Sequence, residues 1–167
     1  KIDISSSINY KDYSAVRTLN TAQGEIKMSF ENGSGKMSMM GQERPLPPQM
    51  AKPIINEMKR HYLSIALHAG DVKAEYLGDE TVDGTNYAVV RVQNDGVSIT
   101  YLLDQKTGLP ARSRYSEMNP QTGQKQQAVS IYTNWNTANG VTYAYDIKTL
   151  VDDNVAAEMH IESHSVE

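Results

Sequence analysis

The sequence predicts an α+β domain in which a strongly curved antiparallel sheet of about nine to eleven strands wraps an amphipathic helix. Three observations carry this. Turn residues recur at hairpin spacing through the second half, the segments between them alternate apolar and polar, and one stretch near the middle changes to a helical period.

The first half reads as short strands at Ile2 to Tyr10, Ala15 to Leu19, Glu25 to Phe30 and Lys36 to Met40, with "ENGSG" (31 to 35) as a turn. After "RPLPPQMAKP" the period changes. Ile54, Ile55, Met58, Tyr62, Ile65, Ala66 and Ala69 fall on one stripe, Pro53 suits a first helical turn and Gly70 the position just past the end. One helix of about four turns follows from that span.

In the second half, "VDGT" (82 to 85), "NDG" (94 to 96), "DQKTG" (104 to 108), "NPQTG" (119 to 123), "NTANG" (136 to 140) and "VDDN" (151 to 154) each have a mechanism for turning. Gly and Asn accept positive φ, and Asp and Asn bond their own backbone. Six strands should run as a meander from about Tyr87 onward. Val97, Ile99, Tyr101 and Leu103 share one face, as do Val141, Tyr143, Tyr145 and Ile147.

The corner "LLDQKTGLPARSRY" (102 to 115) looks at first like a charged site. Its residues read more simply as a hairpin. Asp104 can bond the turn backbone, Gly108 can take positive φ, and Pro110, lacking an N–H, belongs at an edge or bulge. Arg112 and Arg114 then share the solvated face, opposite Ala111, Ser113 and Tyr115.

A length of 167 residues suits one domain, residues 1–167, and neither an internal repeat nor a linker interrupts it. Sixteen Lys and Arg stand against twenty Asp and Glu with neither sign clustered, so the basic footprint of a nucleic-acid binder is missing. The lack of cysteine excludes disulfides, thiol catalysis and Cys-ligated zinc within this chain. No run approaches the roughly 20 apolar residues of a membrane-spanning helix. Because Lys1 already lies inside an alternating strand, we expect an excised mature fragment of a longer protein.

Candidate chemistry is sparse. "EMHIESH" (158 to 164) would put Glu158, His160, Glu162 and His164 on one strand face, a plausible zinc or copper set. Met159 and Ile161 on the other face favour a simpler reading, a terminal strand with its apolar side inward and its charged side solvated. The remaining histidines, His61 and His68, stand two helical turns apart, about 10 Å, too far to hold one ion together. The carboxylate pairs Asp79 with Glu80 and Asp152 with Asp153 lack the apolar cover that drives two pKa values apart. Metalloprotease, serine-hydrolase, P-loop and dinucleotide motifs are missing. We therefore expect no catalytic residue, no metal site and no cofactor. What remains is apolar surface, filling a core or lining a cleft: Ile54, Met58, Tyr62 and Ile65 on the helix stripe, with Tyr101, Trp135 and Tyr143 on the sheet or its rim.

Three stretches resemble a known family. "YLGDETVDGTNYAVVRV" (76 to 92) matches a Gly-x-Glu-x-Val-x-Gly pattern at Gly78, Glu80, Val82 and Gly84. "ITYLLDQKTGLPARSRY" (99 to 115) matches Asp-x-x-Thr-Gly-Leu at Asp104, Thr107, Gly108 and Leu109. "YTNWNTANGVTYAYDI" (132 to 147) ends its first strand on Asn139, Gly140 and Val141. Together, spread over residues 25 to 165, they resemble the LolA, LolB and LppX-like bacterial lipoprotein-carrier superfamily. The departures are a missing lipid-attachment Cys, Ala144 where the pattern often has Pro, and few Phe, Leu or Trp at cavity positions.

The resemblance implies a half-open barrel with one or two helices in its mouth, holding lipid, lipoprotein acyl chains or another hydrophobic ligand, in a periplasmic or outer-membrane-associated setting. It also allows an alternative, because similar domains follow insulinase-like zinc peptidase modules: an accessory interaction domain beside an upstream peptidase, with no ligand of its own.

Overall fold

In a computed structural model of the chain, residues 2–22, 24–119 and 122–165 are described. Pro120 and Gln121, part of the expected 119 to 123 turn, lie outside them. The chain forms two compact units: Lys1–Val72 with Asn94–Val97, and Lys73–Gln93 with Ser98–Glu167.

The first unit is a five-stranded antiparallel meander, β1 (Asp3–Asn9), β2 (Ser14–Thr21), β3 (Gly24–Glu31), β4 (Ser34–Met39) and β5 (Gln42–Pro45), followed by α1 (Pro48–Arg60) and α2 (Tyr62–Leu67). Asn32 and Gly33 both take positive φ, 50° and 75°, the pairing a two-residue hairpin needs to match strand twist. Strand β5 was not expected. "QERP" has no apolar alternation, and it pairs because the Met40–Gly41 turn places Gln42 opposite Met39.

Register fixes what the helix covers. Ile8, Ala15, Phe30 and Gly35 are cross-strand neighbours, and the next row on that face runs Ser6, Arg17, Met28, Met37, Arg44. Helix α1 lays Ala51, Ile55 and Met58 against Phe30 and Leu46, with Ile8, Tyr13, Ala15, Met28, Met37 and Ile54 packed at the margin. Gly35 has a packing role: a Cβ there would lie 3.0 Å from Leu46 Cδ1 and 3.1 Å from the Phe30 ring.

The expected single helix is corrected in two ways. Pro48, not Pro53, occupies the start, so α1 begins five residues earlier and Pro53 sits inside it, removing one intrahelical bond. The helix also breaks at His61, whose extended backbone (φ −65°, ψ 137°) ends α1 and begins α2. Of the expected stripe, Ile55 and Met58 are buried, while Ala66 and Ala69 are exposed.

The second unit is a seven-stranded antiparallel meander, β6 (Lys73–Val82), β7 (Thr85–Asn94), β8 (Val97–Asp104), β9 (Pro110–Met118), β10 (Lys125–Ala138), β11 (Val141–Val151) and β12 (Asn154–His160), neighbours throughout in sequence order. The six expected strands are present, preceded by β6. Gly78, at φ 109°, sits where the β6–β7 register slips, a bulge that a side chain would strain. Val92, Ile99, Tyr101, Leu102, Ala128 and Ala144 are buried. Buried Ser113 is 2.9 Å from the Tyr132 hydroxyl, and buried Ser130 is 3.3 Å from the Thr149 hydroxyl.

Among the described residues, twelve strands in two sheets thus replace the nine to eleven expected in one, and neither sheet closes into a barrel. A second correction concerns β12. Met159 and Ile161 were expected to face inward, yet all seven residues of β12 are exposed, Met159 included, while Ile161 just beyond it is half-buried. Among the described residues, no helix is long and apolar enough to cross a membrane.

Candidate functional site

The seven residues expected to line a cleft divide between the units, four in the first and three in the second. In the first, Met58 is core, 3% exposed against Phe30, and Ile54 packs at the core margin. Tyr62 and Ile65 are half-buried on α2, with the Tyr62 ring 4.3 Å from that of His61. In the second, Tyr101 is buried, Trp135 lies 6.2 Å from the Tyr132 ring, and Tyr143 lies 5.3 Å from the His164 ring.

A better apolar surface lies on the first sheet, on the face that α1 packs against. Beyond the two rows described above, a third runs Ile4, Leu19, Ile26, Met39 across four strands. Leu19 and Ile26 are half-buried, but Ile4 is 52% and Met39 45% exposed. Ile2 and Met40 are exposed as well. The alternation that marked these strands already placed these side chains on one face. Only the pairing register shows that they form one continuous row, and none of the four belongs to the core that α1 packs against.

This unit is also rich in an adaptable side chain. Six of the eight methionines, Met28, Met37, Met39, Met40, Met50 and Met58, belong to it. Methionine's unbranched, polarizable chain conforms to irregular partners. Arg17 and Arg44 lie on the adjacent row, Arg17 being 3.7 Å from Glu57. The opposite face of the sheet is polar. A shallow cavity of about 490 Å³ there has a mixed lining that includes Ser7, Ser29, Glu31 and Lys36 beside Val16 and Phe30.

The histidine and carboxylate candidates do not converge. Across β11 and β12, His160 Nδ1 is 2.6 Å from Asp146 and Lys148 is 3.0 Å from Glu158. The His160 hydrogen bond holds the Asp146 carboxyl below the usual range. His164 leaves that face: its ring packs beside Tyr143 and Tyr145, with Nδ1 3.0 Å from the Tyr145 hydroxyl. Among the described residues, no group of three or more His, Cys, Asp or Glu is placed to hold a metal ion.

The 102 to 115 corner is the hairpin its residues suggested. Asp104 accepts from the Lys106 and Thr107 backbones and the Thr107 hydroxyl, Gly108 takes φ 72°, and Pro110 faces a bulge at Leu103. Those bonds hold the Asp104 carboxyl below its ordinary range. The arginines need correction, because they are not simply solvated. Arg112 binds Asp83 in the β6–β7 turn at 2.5 Å, and Arg114 binds Glu80 on β6.

Two solved structures are similar to this chain. A LolA-superfamily protein from Nitrosomonas europaea is 10% identical at a TM-score of 0.48, covering 98% of this chain and 85% of the other. A domain from Vibrio parahaemolyticus described as an outer-membrane lipoprotein-sorting protein is 9% identical at 0.45, covering 92% and 79%. No protein-family model matches the chain. No curated protein matches it either.

Proposed function

We propose that this chain is a non-enzymatic, extracytoplasmic binding domain for an apolar ligand: a lipid, a lipoprotein acyl chain or a molecule of similar character. The observation that carries this reading is the row Ile4, Leu19, Ile26, Met39 beside α1, exposed at both ends and half-buried between them. Leaving a large aliphatic side chain in water forgoes roughly 1.5–3 kcal/mol relative to full burial, so a ligand laid along the row recovers part of that for each residue it covers. The sequence resemblance to lipoprotein carriers supports the same reading.

Titration with a fluorescent fatty acid after delipidation tests it. Saturable binding should weaken at least about tenfold in Met39→Glu or Ile4→Glu, whose exposed positions tolerate a charge without unfolding the chain. Met58→Glu is the wrong probe, since it buries a carboxylate in the core and unfolds the unit. Absence of saturable binding, or binding that both exposed-site variants leave intact, overturns the proposal and favours an accessory domain without a ligand.

A further inference from the structure

Helix α2 is held at its two ends by histidines of opposite hydrogen-bonding character. At the start, His61 Nδ1 accepts the Leu63 N–H at 3.3 Å, capping the helix. Its ring stacks on Tyr10 at 4.7 Å and lies against Tyr62 at 4.3 Å. At the end, His68 Nδ1 is 2.9 Å from the Ser64 carbonyl and Nε2 is 3.2 Å from the Lys11 carbonyl, while the ring stacks on Tyr13 at 5.3 Å. A nitrogen that accepts loses its role on taking a proton; nitrogens that face carbonyl oxygens keep theirs.

We propose that the α1–α2 junction is an acid-released hinge: protonation of His61 removes the cap of α2 and drives the ring from between its two tyrosines, and α2 opens about its His68 end. The backbone is already broken at His61, so opening disrupts no continuous helix.

The charged side chains nearby carry a protonated ring's own sign or are bound to other groups. Tyr10 and Tyr62, the aromatic groups against it, come from the β1–β2 turn and α2. Lys59 and Arg60 precede it with like charge, and Lys59 is bound to Asp95 at 2.5 Å and lies over the Tyr13 ring. Asp12 is bonded to the Ser14 N–H at 2.9 Å, and Glu57 faces Arg17. Lys11 in the same turn offers its carbonyl to His68.

Burial pushes the His61 ring down to about 3 from an ordinary 6.5. Between those values the open form binds a proton that the closed form does not. Closure is therefore fully supported above 6.5 and is lost as pH falls.

Amide hydrogen exchange of the 167-residue chain, corrected for intrinsic rates, reads this directly. From pH 7 to pH 5 the opening constant for the Leu63, Ile65 and His68 amides should rise about 25-fold, the factor for a group that titrates at about 6.5 only when open. The Leu102 amide in β8 should not follow. His61→Asn, which caps without titrating, should abolish the rise, with His61→Gln as a second form should the first fold poorly; His68→Asn should retain it. A flat wild-type profile, or an equal rise in the His61 variants, overturns the hinge. The outcome is independent of ligand binding.

Discussion

Arg114 on β9 grips Glu80 on β6 through two parallel hydrogen bonds, 2.8 and 2.6 Å, although β8 and β7 lie between them in the sheet. Three strand spacings amount to about 14 Å in a flat sheet. The two side chains meet because the sheet curls toward this face, which also carries Arg112 and its cross-strand partner Leu102, fully buried. The ion pairs thus bridge the concave side of β6 to β9.

Breaking this clamp should be measurable but modest, because both side chains remain more than a third exposed. Arg114→Met is expected to cost about 0.5–1 kcal/mol in urea unfolding at low salt and less at high salt. The hydrogen bond from Arg114 holds Glu80 below the usual carboxylate range. Its stabilising effect is therefore complete above the ordinary Glu value and declines as pH falls through the lowered one, and Arg114→Met should flatten that part of the profile.

Gly35→Ala should destabilise the first unit by about 1–3 kcal/mol, the usual range for overpacking. The added methyl meets Leu46 and Phe30, and Phe30 is only 2% exposed, so neither neighbour has open space to enter. Pairing it with Phe30→Leu in a double-mutant cycle should recover part of the loss.

Leu102→Ala should cost about 2–5 kcal/mol by leaving a cavity, whereas Met159→Ala on exposed β12 should stay within about 0.5 kcal/mol. Chemical denaturation of both variants separates the middle of the second sheet from its rim.

Asp104→Ala should lower the thermal midpoint, and Asp104→Asn less so, because the amide oxygen can still accept from the Lys106 and Thr107 backbones. The lowered carboxyl makes the aspartate's contribution present at neutral pH and lost in acid. Thermal scans of wild type and Asp104→Ala, run at neutral pH and again in acid below the ordinary carboxylate range, check this: the gap between the two midpoints should narrow in acid.

The turns were legible because their chemistry is local: Asn32 with Gly33, Asp83 with Gly84 and Asp104 with Thr107 each state a conformation within a few residues. The partners of Arg112 and Arg114 were not, since Asp83 and Glu80 lie 29 and 34 residues away and only sheet curvature brings them near. Pro53 misplaced the helix start because two earlier prolines, Pro47 and Pro48, serve that role. The candidate site was half-visible. Ile4, Leu19, Ile26 and Met39 each sit at an alternating position, but their joining into one row depends on the register of three hairpins.

The open ends of the second sheet carry a mechanical consequence. In a closed barrel every strand is gripped on two sides, so peeling any one of them breaks two ladders. Among the described residues β12 is joined to β11 alone and its ladder slips at Thr149 and Leu150, so it can detach by breaking a single, irregular ladder. Loosening can then advance strand by strand from that rim while Leu102, four strands in, stays seated. The sheet yields from its margin inward, as a zip does, and its C-terminal strand is the tab.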